Sequence, residues 1–405
     1  MGAGLAGGKA AEALREQGFD GDVVLVGAEG HAPYDRPPLS KDYLQGQTER
    51  DAIAVHEPDW YAAHDVELRT STTVTGIDRD AHQVLLDDGQ RLGYDKLLLA
   101  TGSTPRTPPI PGASLEGVRY LRTVDDSNRL RETIAGGGPI AIVGAGWIGL
   151  EVAAAARIAG VQTTVLEAAP QPLLRALGAE MGSVFADLHR EHGVDLRLGA
   201  QITEITGDGR HVTGVALADG THVDAAAVLI GIGATPNTKL AEQAGLTVDD
   251  GVIVDSALRT GDPDIYAAGD IARAHHPVLG TRIRVEHWNN ALSQPATAAA
   301  AMLGGPASYD ELPYFFTDQY DLGMEYTGHV EPGGYDRVVV RGDVTTREFI
   351  AFWTRQGRVV AGMNVNIWDV TDDIKALIHA ATPVDPDRLA DPQTPLNALA
   401  AARTA

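Results

Sequence analysis

PIAIVGAGWIGLEVAAAARIAGVQTTVLE, Pro139 to Glu167, decides the fold class of this chain. Ile140 to Val143 form a short continuous apolar run, as a strand buried on both faces of a parallel sheet requires. Gly144, Gly146 and Gly149 follow at G-x-G-x-x-G spacing and open an alanine-rich helix that can run to Gly160. The first glycine makes a tight turn, the second lets backbone approach a pyrophosphate, and the third lets helix and strand pack closely. The N–H groups at the helix start then face the phosphates. VQTTVLE reads as the second strand of a βαβ unit, and Glu167 ends it 23 residues after Gly144. An acid there can accept both ribose hydroxyls of an adenine dinucleotide and would repel a 2′-phosphate, so NAD(H) is expected over NADP(H).

The 405 residues are 44% hydrophobic and 21% charged, the composition of an ordinary globular protein of several domains. The formal charge of −23 argues against nucleic acid or an anionic membrane as partner, since both call for positive charge. No apolar run approaches the roughly 20 residues of a membrane span, and no basic-then-apolar leader precedes the first motif, so the cytoplasm is the expected location. Without any cysteine there is no disulfide framework, thiolate nucleophile, thiolate metal site or C-x-x-C redox pair, and no metal is expected.

The opening, MGAGLAGGKAAEALREQGFDGDVVLVGAE, is a second copy of the device. Gly2, Gly4 and Gly7 repeat the spacing, a helix runs to about Gly18, DVVLVGAE reads as the next strand, and Glu29 stands 27 residues after Gly2. The strand before Gly2 is missing, so the true start is expected upstream, with Met1 in a strand position. Two such motifs in one chain point to an enzyme that holds a flavin and a nicotinamide dinucleotide together.

After Glu29, HAPYDRPPLSKDYL is a proline-stiffened loop carrying Arg36 and Lys41, one of only five lysines. A lysine on a solvated helix start would read the same way. Val66 to Leu99 reads as short antiparallel strands ending in YDKLLLATGSTPR, where Thr101 and Gly102 can approach a ligand. A proline-rich linker then sets a boundary near Arg106. Beyond Glu167 the order repeats: a helix from about Gly178 to His192, strands from Val194 to Thr221, and AAVLIGIGATPN in place of DKLLLATGSTPR. That is duplication at domain scale. VIVDSALRTGDPDIYAAGDIA places Asp270 after an apolar strand. Glu286, His287 and Trp288 precede a helix whose N-terminus could stabilise negative charge on a reduced ring. Pro295 would break a helix begun at Asn289, so the regular helix is expected to start at Pro295 itself. From Pro306 the chain alternates strands and polar turns, with one helix near Asp372 to Ala380; its last residues are expected to lack order.

GAGLAGGKAAEALR, YDRPPLSKDYL, LLLATGSTPR, VGAGWIGLE, GIGATPN, YAAGDIA, VEHWNNALSQ and DQYDLGMEY together resemble the FAD-dependent ferredoxin reductases that serve Rieske-type dioxygenases and cytochromes P450. These belong to the two-dinucleotide-domain flavoprotein superfamily. The resemblance implies an α/β fold: a discontinuous FAD domain (1–105 and 234–305), an NAD domain (106–233) and a small α+β C-terminal domain (306–405). It implies that Gly2, Gly4, Gly7, Glu29, Arg36, Thr101, Gly102, Arg106, Asp270, Glu286, His287 and Trp288 hold FAD, with Lys41 near flavin N5 and paired with Glu151, and Trp288 packed near the isoalloxazine. Gly144, Gly146, Trp147, Ile148, Gly149, Glu151, Glu167 and Gly233 would hold NAD(H). Glu151 would otherwise be an ordinary exposed acid in the first turns of its helix. Phe316 stands where members often have tryptophan.

In that setting hydride passes from NADH to the flavin, and Lys41 favours the reduced ring. Without cysteine no internal disulfide can carry electrons onward, so a one-electron acceptor, a [2Fe–2S] ferredoxin, is the expected partner of a monomeric or homodimeric enzyme. Arg337, Arg341, Arg347, Arg355 and Arg358, set against Asp336, Asp343 and Glu348, offer a locally basic face to an acidic ferredoxin, and a merely solvated strand face would read the same way. The alternatives are an NADH oxidoreductase that uses a quinone, oxygen or another small acceptor, and a non-catalytic remnant lacking bound FAD.

Overall fold

The computed structural model describes residues 1–400. The chain divides into two compact units, one of Met1–Arg36, Glu49–Thr104 and Thr235–Pro313, the other of Pro37–Thr48, Pro105–Ala234 and the chain from Tyr314. Among the described residues no helix is long and apolar enough to cross a membrane. The expectation for the last residues falls largely outside the described part.

In the second unit the Ile140–Val143 strand is wholly buried at the centre of a five-stranded sheet. It pairs in parallel with Thr163–Glu167 on one side and Ala227–Ile230 on the other, and Asp195–Leu198 and Val118–Arg119 complete the edges. This is the position for which an unbroken apolar run is suited, because both faces are covered. The Trp147–Ile158 helix follows at once. It stops where Gly160 turns to φ +78°, with Gly160 N–H on Arg157 O and Val161 N–H on Ala156 O, the paired bonds of a Schellman end. The next helix begins earlier than expected, at Leu174, and bends at Gly178, where φ is 80° and ψ 174°.

From Tyr314 the same unit adds a five-stranded antiparallel sheet in the order Tyr314–Gln319, Leu322–Gly328, Arg358–Val365, Glu348–Arg355, Arg337–Asp343. Phe349, Phe352, Trp353 and Met363 fill its core, and Thr371–Ala380 is the expected helix. Two short helices, Pro386–Ala390 and Leu396–Ala400, were not anticipated. Their link to the sheet engages one member of the basic set, and a second is paired elsewhere in the unit. The guanidinium of Arg341 donates to the carbonyls of Asp391 (2.7 Å), Pro392 (3.1 Å) and Thr394 (2.8 Å), and Arg347 pairs with Glu191. Both cations are therefore spent on holding this unit together, which leaves Arg337, Arg355 and Arg358 as the exposed members of the set.

The first unit repeats the glycine motif and helix, Leu5–Glu16, but its strands differ from expectation. Val66–Arg69 is not part of an antiparallel ribbon; it runs parallel to Val23–Val26, and Leu97–Leu99 runs parallel to Ile265–Ala267. Between Val66 and Leu99 the antiparallel strands are Val74–Asp78, Gln83–Leu86 and Arg91–Gly93. Four residues of alternating or apolar pattern do not encode direction; the sheet they join does. Met1 stands between the two parallel pairs. Its ammonium donates to Leu98 O at 2.9 Å, its carbonyl accepts from Ala100 N–H at 2.8 Å, and Gly2 N–H donates to Val26 O at 2.8 Å.

Pro295 does not delay its helix, which runs from Trp288 to Met302 with the proline inside. Pro295 itself is buried, Ser293 Oγ donates to Asn289 O, and the helix packs on Leu5–Glu16 through Ala299 against Ala13 and Leu14. Tertiary packing thus offsets the one bond that proline removes.

Replacing Arg341 by Ala strips three charge-assisted bonds from the 391–394 backbone and should destabilise the protein by about 2 kcal/mol in urea unfolding. Lysine there should recover only part of the loss, since one ammonium does not match three diverging carbonyls.

Candidate functional site

The two glycine loops are built alike, one in each unit. Gly2 and Gly144 both have φ +101°, and a Cβ on either would lie 2.1 Å from Ala100 O or 2.4 Å from Gly231 O. A Cβ on Gly7 would stand 2.0 Å from Gly2 O, and one on Gly149 2.1 Å from Gly144 O. These four positions exclude any side chain. Gly4 and Gly146 are different: the nearest atom to an added Cβ is 3.9 Å away in each case, so the space in front of them is open. Both glycines are also the N-caps of their helices, and neither helix start receives a side-chain capping bond. Two loops with open space, bare backbone N–H groups and a helix dipole behind them are suited to pyrophosphates, which fits an FAD in the first unit and an NAD(H) in the second.

The acids at the strand ends have different partners. Glu167 accepts Ala145 N–H at 2.7 Å and Ala169 N–H at 2.8 Å, one on each oxygen, so backbone alone fixes its carboxylate beside the glycine loop. Glu29 is held by side chains: Arg36 Nη2 donates at 2.6 Å, and the Tyr34 hydroxyl donates to the other oxygen. Arg36 also lies over the Tyr34 ring, 5.1 Å from its centre.

Thr101 and Gly102 are pinned by Asn237, whose side chain donates to Thr101 O at 2.8 Å and whose N–H donates to Gly102 O at 2.9 Å. Asp270 is buried and accepts the Ser103 hydroxyl at 2.8 Å, just after Gly269, whose N–H is taken by Gln294 Oε1. Glu286 pairs with Arg284 at 2.6 Å. His287 is the N-cap of the Trp288–Met302 helix, and the Trp288 indole N–H donates to Asp35 Oδ1 at 2.8 Å. Burial raises the Asp35 carboxyl above its usual range, and the indole bond partly offsets this.

Within the second unit Arg106 is tied to backbone, its N–H to Gly233 O and its Nε to Ala234 O, both at 2.9 Å. Gly233 has φ +98°. Trp147, the first residue of its helix, packs edge-on against Phe185 and Phe315, while Ile148 is exposed. Glu151 is not an exposed first-turn acid: only 4% of it reaches solvent. Its Oε2 lies 2.9 Å from Lys41 Nζ and also accepts the Ser40 hydroxyl, and its Oε1 accepts the Thr317 hydroxyl at 2.6 Å. Lys41 Nζ also reaches Pro37 O at 3.4 Å and sits 5.6 Å from the centre of the Phe316 ring. A buried carboxylate with a cation and two hydroxyls around it is compensated on every side.

Asp35, Ser40, Asn237, Thr317, Gln319 and His189 bond to these residues, directly or in line, although sequence reasoning passed over them. Asp35 and Ser40 lie inside YDRPPLSK, Asn237 closes GATPN, and Thr317 with Gln319 lies beside or within the DQY motif, so each was one residue or a few from a residue already chosen. His189 carried no such signal. It is fully buried and bonded to Gln319 Oε1 at 2.8 Å, and burial pushes it down to about 4.

Two dinucleotide cradles and a buried lysine–glutamate pair define a pyridine-nucleotide flavoprotein. Residues 1–295 match the pyridine nucleotide-disulphide oxidoreductase family and residues 314–400 the reductase C-terminal family, and the chain belongs to them. It is 39% identical to a putidaredoxin reductase of Pseudomonas putida over 410 aligned residues, covering 100% of this chain and 97% of that one. To the ferredoxin–NAD(+) reductase component of an anthranilate 1,2-dioxygenase system of Burkholderia cepacia it is 41% identical, over 97% and 96% of the two chains. Among solved structures, a covalent putidaredoxin reductase–putidaredoxin complex matches with a TM-score of 0.95 at 38% identity, over 99% of this chain and 98% of that one.

Glu167→Ala should raise the Kd for NADH by about tenfold, as titration of the protein would read, while bound FAD is retained. His189 has a folded value below the ordinary 6.5, so the unfolded chain takes up the proton first and stability falls as pH drops from about 6.5 towards about 4. Between pH 7 and pH 5 this one group should remove about 2 kcal/mol in urea unfolding, and His189→Gln should flatten that limb.

Proposed function

We propose that this protein is an NADH-dependent flavoprotein reductase that passes electrons from its FAD to a [2Fe–2S] ferredoxin serving an oxygenase or cytochrome P450, and that it works in the cytoplasm. The observation that carries the reading is the pair of open cradles at Gly4 and Gly146, joined with close similarity to ferredoxin reductases along the whole chain. The bound flavin would supply the chemistry, accepting hydride from NADH and releasing single electrons. The functional division is 1–105 with 234–305 for FAD, 106–233 for NAD(H) and 306–405 as C-terminal domain.

The chain's own residues position and polarise. In the first unit Gly2, Gly4, Gly7 and the Leu5–Glu16 helix start take the FAD pyrophosphate, Glu29 with Arg36 the adenosine end, Asp270 the sugar chain, and Trp288 with the helix behind it the ring. In the second, Gly144, Gly146, Trp147, Ile148, Gly149 and Gly233 take NADH, and Glu167 takes its ribose. Lys41 provides the positive charge that favours the reduced ring, and Glu151 keeps that ammonium charged and aimed. With no cysteine, no disulfide can hold the electrons on the way.

In stopped-flow experiments on the FAD-loaded protein, NADH should bleach the flavin within milliseconds to seconds, and [2Fe–2S] ferredoxins encoded beside the gene should reoxidise it one electron at a time. Turnover with a quinone and none with any such ferredoxin would overturn the assignment of acceptor. Lys41→Met should slow the bleaching by about a hundredfold with little change in Kd for NADH.

A further inference from the structure

Behind the Lys41–Glu151 pair lies a chain of buried side chains to which no role has been given. Gln319 Nε2 is 3.1 Å from Thr317 Oγ1, Gln319 Oε1 is 2.8 Å from His189 Nε2, and His189 Nδ1 is 3.4 Å from the Tyr320 hydroxyl. Thr317 and His189 are 0% exposed and Gln319 1%, so no water can replace a missing partner without opening the core.

Chemistry gives this chain one sense. The Glu151 carboxylate, ion-paired with Lys41, can only accept, so at 2.6 Å the Thr317 hydroxyl must donate to it. Having spent its hydrogen, Thr317 Oγ1 can only accept from Gln319, which puts the amide N–H₂ towards threonine and the amide oxygen towards His189. His189 must then carry its hydrogen on Nε2, with Nδ1 left to accept from Tyr320. Burial keeps this imidazole neutral, as the sequence of donors requires. Every dipole in the line points its positive end at Glu151, and aligned hydrogen bonds reinforce one another.

The consequence falls on Lys41. Thr317 holds Glu151 Oε1 and so fixes the rotation of the carboxylate, which presents Oε2 both to Ser40 and, at 2.9 Å, to the ammonium. Among the described residues two of its N–H bonds go to Glu151 and Pro37 O, and one remains for a ligand. Were Thr317 to stop donating, the carboxylate could turn about its own bond and carry the ammonium away from the ligand side.

We propose that Thr317, Gln319 and His189 form a one-directional relay that positions Lys41 for the hydride step by fixing the rotation of the Glu151 carboxylate. The proposal rests on the role given to Lys41 above. Thr317, Gln319 and His189 are positioning residues, since each acts through Glu151.

Two measurements on purified protein test it. In FAD-free protein, ¹⁵N-resolved NMR of the His189 ring should show the Nε2–H tautomer in the wild type and a mixture in Thr317→Val, where the amide of Gln319 can turn over. A wild-type Nδ1–H tautomer overturns the relay. In FAD-loaded protein, Thr317→Val and Gln319→Glu, whose carboxylate would capture the threonine hydroxyl, should each slow flavin reduction by NADH about tenfold with Kd for NADH unchanged. Thr317→Ser should restore the rate. Combined with Lys41→Met, Thr317→Val should add no further loss, because the relay acts only through that lysine. Wild-type rates in both Thr317→Val and Gln319→Glu beside a slow Lys41→Met overturn the relay alone, as does a loss that multiplies onto that of Lys41→Met. A wild-type rate in Lys41→Met overturns the role of the lysine and the relay with it. Should Thr317→Val fail to hold FAD, Gln319→Glu, which keeps the side-chain volume, decides in the same way.

Discussion

Close approach of a helix to the tip of a strand is the constraint on which both units depend. Gly149 rests against Gly144 O and Gly7 against Gly2 O at distances that leave no room for a methyl group. Only with that contact does the first helical turn begin directly over the glycine turn, with its N–H groups uncapped by side chains. A displaced helix would carry its dipole away from the position where phosphates can meet it. The same contact leaves Gly4 and Gly146 facing open space, so a packing requirement at one glycine creates a binding surface at another.

Having started at Trp147, the helix of the second unit must place Glu151 one turn further on, in the interior. A lone carboxylate would be costly to bury there. Lys41, Ser40 and Thr317 remove that cost by satisfying both oxygens, and they come from parts of the sequence more than a hundred residues away on either side. A buried pair of this kind contributes little net stability compared with apolar packing, and what it does provide is a fixed direction for a cation. The line from Thr317 through Gln319 to His189 runs on from the C-terminal sheet into the Leu174–Glu191 helix.

The C-terminal sheet also shows how a count of charges in a sequence can mislead about what each one bonds. Five arginines over a short span read as a docking face, yet Arg341 is directed at backbone carbonyls of the terminal segment and Arg347 at Glu191. The carbonyls of the loop between the two short helices need donors, and a nearby guanidinium supplies several at once. Helix initiation misled in the opposite direction at Pro295, where local rules called for a later start and packing against Leu5–Glu16 prevailed.

Sequence by itself determined the glycine spacings, the acids Glu29 and Glu167, the buried central strand at Ile140–Val143 and the lack of any thiol relay, because each follows from short-range sterics or from residue chemistry. The family was legible for the same reason: its motifs are local. Tertiary structure alone decided strand direction at Val66–Arg69, the burial of Glu151, the engagement of Arg341, and the buried line of hydrogen bonds from Thr317 through Gln319 to His189. All of these depend on which distant segment supplies a hydrogen-bond partner, and periodicity and local propensity carry no information about partners more than a few residues away.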